Sequence, residues 1–271
     1  MIIAILGPQG SFCEKAANQW NSLAELRHYD DIPDAVDALL RNEVDSSIVP
    51  IENSLEGSVT LTLDLLMEHQ LKIIGEVTVR IKHCLLSKGD YNRIKIIMSH
   101  HQALSQCRKY IKTNFKNVEV RPVLSTSQAA RLASESKETA AIASRESADI
   151  YGLSILDENI QDVNENVTRF IVIGKNTPPA TGNDKTSIII YLEKNRPGAL
   201  YEILGEFADK DIDLTRIESR PTKKILGDYL FYIDLKGHIE EKAIKETLEK
   251  VKAKVGMLKI IGSYPAAKNP G

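Results

Sequence analysis

Short apolar runs alternate with polar clusters and amphipathic stretches through the first two thirds of the chain. Residues 2–6 are an apolar run, a Gly-Pro-Gln-Gly segment interrupts it, and Ser11 then stands three residues before Glu14. A serine and a glutamate at this spacing are typical of a helix N-terminus. The same order recurs, with polar clusters at residues 7–11, 52–54, 99–102, 125–128 and 144–146. Strands that alternate with helices predict a parallel sheet with helices on both faces.

The pattern changes after residues 177–184, whose prolines, threonines and glycine predict a linker. The remainder has the periods of a strand, a helix, two strands, a helix and a strand, at residues 186–192, 197–209, 213–219, 229–235, 240–251 and 256–262. This βαββαβ order predicts a ferredoxin-like domain. A small domain with a one-sided sheet often pairs with another copy of itself.

Composition and charge argue against several classes of protein. The chain has 271 residues, 42% of them hydrophobic and 27% charged, as expected for a globular protein with room for two domains. A formal net charge of −2 without a basic stripe argues against nucleic acid as a partner. No apolar stretch approaches the roughly 20 residues that a membrane span needs. The three cysteines lack metal-ligand spacing and indicate buried thiols in a reducing cytoplasm.

The polar clusters stand where a ligand would bind. In parallel α/β sheets, ligands lie outside the carboxyl ends of the strands, and helix N-termini there favour anions. Thr168 and Arg169 follow a polar loop and precede the apolar run 171–173. We interpret this run as a return strand that places a hydroxyl and a guanidinium in a cleft, opposite the earlier clusters. The guanidinium fork suits a carboxylate better than a lysine would.

Each motif taken alone also has a simpler explanation. Ser11 could cap a helix without binding a ligand, Glu52 could pair with an arginine, and Arg169 could be a surface residue of an edge strand. The adjacent histidines 100 and 101 do not suit zinc, because neighbouring side chains on a helix point apart and no third ligand lies nearby. The second of them is expected to face solvent. No catalytic triad, phosphate loop or dinucleotide fingerprint is present.

Together and in this order, the motifs resemble those of prephenate dehydratases with a C-terminal ACT domain, over essentially the whole chain. The resemblance rests on Gly7-Pro8-Gln9-Gly10-Ser11-Phe12 with Ala16-Ala17, Val49-Pro50-Ile51-Glu52-Asn53-Ser54 with Gly57, Ser99-His100-His101-Gln102-Ala103-Leu104 with Gln106-Cys107, Ser125-Thr126 with Ala129-Ala130, Ala141-Ile142-Ala143-Ser144, Asn166-Val167-Thr168-Arg169-Phe170, Gly198-Ala199-Leu200 and Glu218-Ser219-Arg220-Pro221. The chain departs from the family pattern at His101, where proline is usual, and at Phe12, where tyrosine is common. Neither departure removes a proposed catalytic group.

The resemblance implies an α/β fold with a two-lobed catalytic domain of the periplasmic-binding-protein type (type II) over residues 1–176. One lobe would contain about residues 1–78 and 166–176, the other about residues 79–165, with the active site between them. A linker, 177–184, would join it to a ferredoxin-like βαββαβ ACT domain over residues 185–264. We expect no fused chorismate mutase segment, because the chain starts directly on the first strand.

The implied enzyme is a carbon–oxygen lyase that converts prephenate to phenylpyruvate, carbon dioxide and water in phenylalanine biosynthesis, without a metal or an organic cofactor. Thr168 would donate a hydrogen bond to the departing hydroxyl, and Glu52 could supply a proton if burial raises its pKa. Asn53, Ser99 and Gln106 would hold the ring and its hydroxyl. Helix N-terminal amides would help to bind the carboxylates, and the substrate-binding side chains would be Ser11, Ser54, Ser125, Thr126 and Arg169.

The implied ACT domain carries feedback inhibition by phenylalanine. In a homodimer or homotetramer, the amino acid would lie between a loop of one subunit and a strand end of its neighbour, contacting Asn195, Pro197, Gly198, Ala199, Leu200, Glu218, Ser219, Arg220 and Pro221. Two other functions stay open. Arogenate, which differs from prephenate by an amino group on the side chain, is a possible substrate of the same site. A non-catalytic amino-acid sensor is the alternative outside the enzymes, because both folds are common binding modules.

Overall fold

The computed structural model describes residues 1–192, 196–223 and 227–267, and the chain divides into two units. Of the described residues, the first unit contains 1–62 and 77–170, and the second contains 63–76 and those from 171 to 267. The domain boundaries of the sequence analysis, at residues 176 and 185, were drawn from motifs, whereas these units are defined by contacts. Those boundaries therefore stay a prediction. No helix in the described ranges is long and apolar enough to cross a membrane.

Helix caps and apolar periodicity account for most elements up to residue 174. Ser11, Asp31, Ser125 and Ser144 each accept a hydrogen bond from the backbone N–H three residues ahead, which is the bond that begins a helix. In chain order the elements are β1 (Ile2–Leu6), α1 (Phe12–Trp20), β2 (Glu25–Tyr29), α2 (Ile32–Leu40), β3 (Ser46–Asn53), β4 (Gly57–Ser58), α3 (Thr60–Glu68), β5 (Lys72–Arg80), β6 (Cys84–Ser87), β7 (Ile96–His100), α4 (His101–Gln106), α5 (Arg108–Asn114), β8 (Glu119–Val123), α6 (Thr126–Ala133), β9 (Thr139–Ala143), α7 (Arg145–Tyr151), β10 (Ser154–Glu158) and β11 (Val167–Gly174).

The first sheet of the first unit has the strand order β11-β3-β1-β2, with the short β4 antiparallel to β3. Strand β1 runs parallel to both β2 and β3. Their carboxyl ends, at Leu6 and Asn53, therefore lie at the same edge of the sheet. Strand β2 was not predicted, because its sequence Glu-Leu-Arg-His-Tyr lacks an apolar run and the strand is mostly exposed.

The second sheet has the strand order β10-β6-β9-β7-β8. Strand β7 is parallel to β8 and β9, whereas β6 is antiparallel to β9 and β10. Helix α6 packs on one face through Ala129, Ala130 and Ala133, and helices α4 and α5 pack on the other through Ala103, Cys107 and Ile111. The expected architecture of two α/β lobes is confirmed.

Two breaks in the structure are not evident from the sequence pattern. Strands β5 and β6 are separated by residues 81–83. Apolar side chains continue through the interruption, so the sequence pattern does not reveal it. Similarly, helices α4 and α5 are separated by Cys107.

The second unit contains the predicted βαββαβ domain. Its elements are β12 (Asp184–Tyr191), α8 (Ala199–Ala208), β13 (Leu214–Pro221), β14 (Tyr229–Lys236), α9 (Lys242–Lys254) and β15 (Met257–Pro265). The four strands form an antiparallel sheet in the order β13-β14-β12-β15. Ile188, Ile190, Ile203, Phe207 and Leu248 belong to the core between this sheet and its two helices. The ferredoxin-like prediction is confirmed.

Residues 63–76 pack against this domain within the second unit. Gly262 on β15 pairs with Ile73 on β5, and a Cβ at Gly262 would lie 2.4 Å from the Ile73 carbonyl oxygen, so no other residue fits there. The Tyr232 hydroxyl donates to the Leu63 carbonyl at 3.0 Å. Helix α3 is therefore bonded to strand β14 on one side of the domain.

Candidate active site

A cavity of about 210 Å³ lies in the first unit, lined by residues at the ends of strands from both sheets. Its lining residues are Leu6, Gly7, Ser11, Phe12, Cys13, Pro50, Asn53, Ile81, His83, His100, Gln102, Ala103, Gln106, Leu124, Ser125, Thr126, Asn166, Thr168 and Phe170. Of the predicted site residues, the structure brings together Thr168, Asn53, Gln106, Ser11, Ser125 and Thr126. The described lining contains no lysine, arginine, aspartate or glutamate.

Strand alternation determines which side chains at the start of β11 face the cavity. Asn166, Thr168 and Phe170 line it, as expected for every second residue of an extended segment. Arg169 lies outside the lining, and its Nη1 is 3.7 Å from Glu52 Oε2, with only 11% of its side chain exposed. The structure thus places Arg169 outside the lining and beside Glu52, and the predicted roles of both residues toward the substrate stay a prediction. For Glu52 the simpler explanation, a pair with an arginine, is what the structure contains.

The Asn53 amide connects strand β3 to the start of β11. Its Nδ2 donates to Asn166 Oδ1 at 2.7 Å and to Thr168 Oγ1 at 2.8 Å. Its Oδ1 accepts from the backbone N–H groups of Leu55 at 3.0 Å and Glu56 at 3.2 Å. With every polar atom of this buried amide engaged, Asn53 holds the Thr168 side chain in a fixed position.

The Gln106 amide continues this network from helix α4. Its Oε1 accepts from Asn166 Nδ2 at 2.9 Å and lies 3.0 Å from His83 Nε2. Its Nε2 donates to Glu56 Oε1 at 3.2 Å. One chain of side-chain hydrogen bonds therefore runs from the second sheet to Thr168.

His83, Asn166 and His100 also line the cavity; the last two stand in quoted motifs but had no predicted role, and His83 stands in none. His83 is 2% exposed and lies between β5 and β6, where no motif marks it. Burial lowers the pKa of His83, although its hydrogen bond to Gln106 opposes this. The pKa of His100 is also lowered, mainly by burial and to a smaller extent by the charge of the nearby His101. His101 itself is exposed, as predicted. Both cavity histidines are therefore predominantly neutral near pH 7.

Helix N-termini contribute to the cavity wall through their caps. The Ser11 hydroxyl accepts from Glu14 N at 3.2 Å and donates to the Leu6 carbonyl at 2.8 Å, so its hydrogen is already used. The Ser125 hydroxyl accepts from Gln128 N at 3.0 Å. The positive ends of helices α1 and α6 consequently adjoin the cavity.

Two predicted contact residues support the site from outside the lining. The buried Ser99 hydroxyl donates to the Ile142 carbonyl at 2.5 Å and so ties β7 to β9. The exposed Ser54 hydroxyl donates to the Glu165 carbonyl and accepts from Val167 N, both at 3.0 Å. Both hydroxyls thus use their hydrogen on a backbone carbonyl, and the predicted substrate contacts of Ser99 and Ser54 stay a prediction.

The described residues offer no group of three histidine, cysteine, aspartate or glutamate side chains able to hold a metal ion. Cys13, the cysteine in the cavity wall, is also unreactive. Burial raises the pKa of the Cys13 thiol to about 12, so it stays protonated and is a poor nucleophile. The chemistry available in the cavity is hydrogen-bond donation by hydroxyl, amide and imidazole groups.

Residues 218–221, the part of the predicted phenylalanine site that we call the effector segment, lie at the end of β13 in the second unit. Ser219 and Pro221 are exposed, whereas Arg220 is buried and its Nη2 donates to Asp64 Oδ1 at 2.8 Å. Glu218 pairs with Arg216 at 2.5 Å. Of the predicted loop, Pro197 and Gly198 precede helix α8, Ala199 and Leu200 begin it, and Asn195 lies outside the described residues. The predicted phenylalanine site needs a neighbouring subunit and stays a prediction.

Comparisons with known proteins match this architecture. The family model of prephenate dehydratase matches residues 3–178, and that of the ACT domain matches residues 186–253. The prephenate dehydratase of Methanocaldococcus jannaschii is 43% identical over 267 residues, which are 95% of this chain and 96% of that protein. A crystal structure of prephenate dehydratase from Arthrobacter aurescens in complex with L-Phe is 36% identical, with a TM-score of 0.89 over 98% of this chain and 90% of the other.

Another solved structure, GqqA, is described as a novel type of quorum quenching acylase; it is 29% identical, with a TM-score of 0.89 over 98% of both chains. The fold alone therefore does not determine the reaction, and the family match carries more weight. By its match over residues 3–178 and its similarity to full-length relatives, this chain belongs to the prephenate dehydratase family and carries a C-terminal ACT domain.

Proposed function

We propose that this chain is a prephenate dehydratase whose product is phenylpyruvate and whose activity is inhibited by phenylalanine through the ACT domain. The observation that carries the proposal is the Thr168 hydroxyl, which lines the cavity and is held there by the Asn53 amide. This placed hydroxyl, together with the family match, favours an enzyme over a non-catalytic sensor.

The substrate itself provides the driving force. Prephenate carries a ring carboxylate, a ring hydroxyl and a pyruvyl side chain. When the ring carboxylate leaves as carbon dioxide, its bonding electrons enter the ring and the hydroxyl departs, which makes the ring aromatic. The enzyme must orient the molecule and ensure that the hydroxyl leaves as water, because bare hydroxide is a poor leaving group.

The hydrogen bond between Asn53 and Thr168 has a direction that suits this task. An amide NH₂ group can only donate, so the 2.8 Å bond from Asn53 Nδ2 uses a lone pair of Thr168 Oγ1. The threonine can then donate a hydrogen bond to the departing oxygen, and a proton from the solvent completes the water. Such a donor stabilises the charge that develops on that oxygen in the transition state.

The substrate carboxylates would be bound without a cationic side chain from the described lining. The positive ends of helices α1 and α6, which follow Ser11 and Ser125, replace the arginine of the sequence-based prediction. Backbone N–H groups at a helix start bind a carboxylate through short, directed hydrogen bonds. Thr126, in the first turn of α6, and Gln102 add polar side chains to the same wall.

Regulation and assembly follow from the ACT domain. We expect phenylalanine to bind between two copies of the chain in a homodimer or homotetramer, at the residue 195–200 loop and the residue 218–221 segment. The three cysteines are buried free thiols, which fits our expectation of a reducing, cytoplasmic setting.

The decisive experiment is incubation of the purified chain with prephenate, with and without phenylalanine, while phenylpyruvate absorbance is followed. We expect turnover that phenylalanine suppresses. Arogenate in a parallel reaction, assayed by phenylalanine formation, tests the alternative substrate. Phenylalanine binding without turnover of either compound would identify a sensor and overturn the proposal.

A further inference from the structure

The direction of the hydrogen-bond chain behind Thr168 can be derived from two backbone groups. The backbone N–H groups of Leu55 and Glu56 can only donate, so the Asn53 atom that they contact must be the amide oxygen. The other end of Asn53 is therefore its NH₂ group, which donates to Asn166 and Thr168.

The chain of hydrogen bonds continues across the cavity to His83. Because Asn166 accepts through Oδ1, its Nδ2 donates to Gln106 Oε1. The opposite end of Gln106 is its NH₂ group, which donates to the Glu56 carboxylate. An amide oxygen cannot donate, so the His83 Nε2 that lies 3.0 Å from Gln106 Oε1 must carry a hydrogen.

Burial selects a single state of the His83 ring. With a hydrogen on Nε2, the neutral ring has a bare Nδ1, and this buried atom has no hydrogen-bond partner within the described part of the chain. A second proton would therefore be placed on a desolvated atom without an acceptor, which is unfavourable. Phe12 packs edge-on against the ring at a centroid distance of 6.0 Å.

We propose that His83 is a positioning residue for Thr168, an inference that rests on the proposed dehydratase function. By donating from Nε2, His83 holds the Gln106 oxygen toward Asn166. This contact maintains the direction of the amide chain that keeps the Thr168 hydrogen available to the departing hydroxyl. His83 acts through Gln106, Asn166 and Asn53 rather than on the substrate itself.

Two substitutions at position 83 separate this role from simple packing. In His83→Gln the side-chain NH₂ can occupy the place of Nε2, whereas in His83→Asn the shorter amide reaches only to the place of Nδ1. We expect His83→Asn to lower kcat about tenfold to hundredfold, the typical cost of a small misplacement at an active site. KM should change far less, and His83→Gln should retain most of the activity.

A double-mutant test asks whether the effect passes through the hydroxyl. In a Thr168→Ala background the chain has no hydroxyl to orient, so His83→Asn should lower kcat by no more than about twofold. An equal loss in both backgrounds, or a His83→Gln variant as slow as His83→Asn, would overturn the inference. Wild-type protein that does not act on prephenate would instead overturn the proposed function.

A second substitution covers the case in which His83→Asn fails to fold. Glu56 is exposed and accepts a hydrogen bond from the NH₂ group of Gln106, at the opposite end of the amide from His83. Glu56→Ala therefore removes the other contact that orients the Gln106 amide, by a change at an exposed position. It should lower kcat in the wild-type background and have little further effect with Thr168→Ala. Circular dichroism melts identify any variant that does not fold, and additive losses from Glu56→Ala would count against the inference.

Discussion

Thr168 and Arg169 are neighbours in sequence, yet they have opposite environments. Thr168 lines the cavity, whereas Arg169 pairs with Glu52 on the other side of the strand. The alternation of a β-strand separates them, and Asn53 and Glu52 on β3 are separated in the same way. The catalytic proposal therefore concerns the hydroxyl and its amide partner, not the guanidinium.

At this scale the first prediction concerns Thr168→Ala. Loss of a positioned donor should lower kcat by about 10²–10⁴-fold, with a much smaller change in KM, because the bond to the departing oxygen strengthens only in the transition state. Thr168→Ser keeps the hydroxyl and should be far more active. Stopped assays of phenylpyruvate over a range of prephenate concentrations measure both constants.

The matched control is Thr113→Ala, which removes a hydroxyl from an exposed position of helix α5 and should change neither constant. A Thr168→Ala enzyme with normal kcat and weakened binding would assign this hydroxyl to substrate recognition instead.

Among the elements, helix α3 has contacts that suit the transmission of a regulatory signal. Thr62 on this helix donates to the carbonyl of Pro50, a cavity residue, at 2.7 Å. Two residues further on, Asp64 accepts from Arg220 at 2.8 Å and from Lys223 at 2.6 Å. Arg220 belongs to the predicted effector segment, so one short helix is bonded both to a cavity strand and to that segment.

The prediction at the level of this element is that Asp64→Asn weakens inhibition by phenylalanine. The neutral amide loses the charged bonds to Arg220 and Lys223, and inhibition should then need at least about fivefold more phenylalanine, the lower end of typical coupling energies. Activity without phenylalanine should stay unchanged. Inhibition curves at fixed prephenate concentration provide the measurement.

Asp149→Asn, a change of an exposed aspartate on helix α7, serves as the control and should leave the inhibition curve unaltered. An Asp64→Asn enzyme with normal sensitivity would show that the signal does not use this ion pair.

For the whole molecule, regulation and association are linked. A ligand that binds between two copies of a chain binds only the assembled state, so it shifts the equilibrium toward assembly by mass action. The exposed Ser219 and Pro221 on the edge strand β13 lie at a strand end where a second copy can approach.

We therefore predict that phenylalanine lowers the protein concentration at which the chain associates. Sedimentation velocity over a dilution series, with and without phenylalanine, measures this shift, and alanine, which lacks the ring, is the control. Inhibition of a species that stays monomeric at every concentration would contradict the binding of phenylalanine between subunits.

Local sequence signals determined much of this protein's organisation. The βαββαβ order and the serine cap of α1 could be recognised because periodicity and capping depend on residues close together in the chain, and Thr168 because it stands in a short motif. Other features depend on which distant segments meet. The break that exposes His83 to the cavity, the pairing of Arg169 with Glu52, and the backbone bonds of Ser54 and Ser99 were set by strand register and by contacts across the sheets. The sequence gives the identity of a serine or a histidine but not the group that its side chain contacts. That partner, which determines the role of the side chain, is decided by tertiary packing.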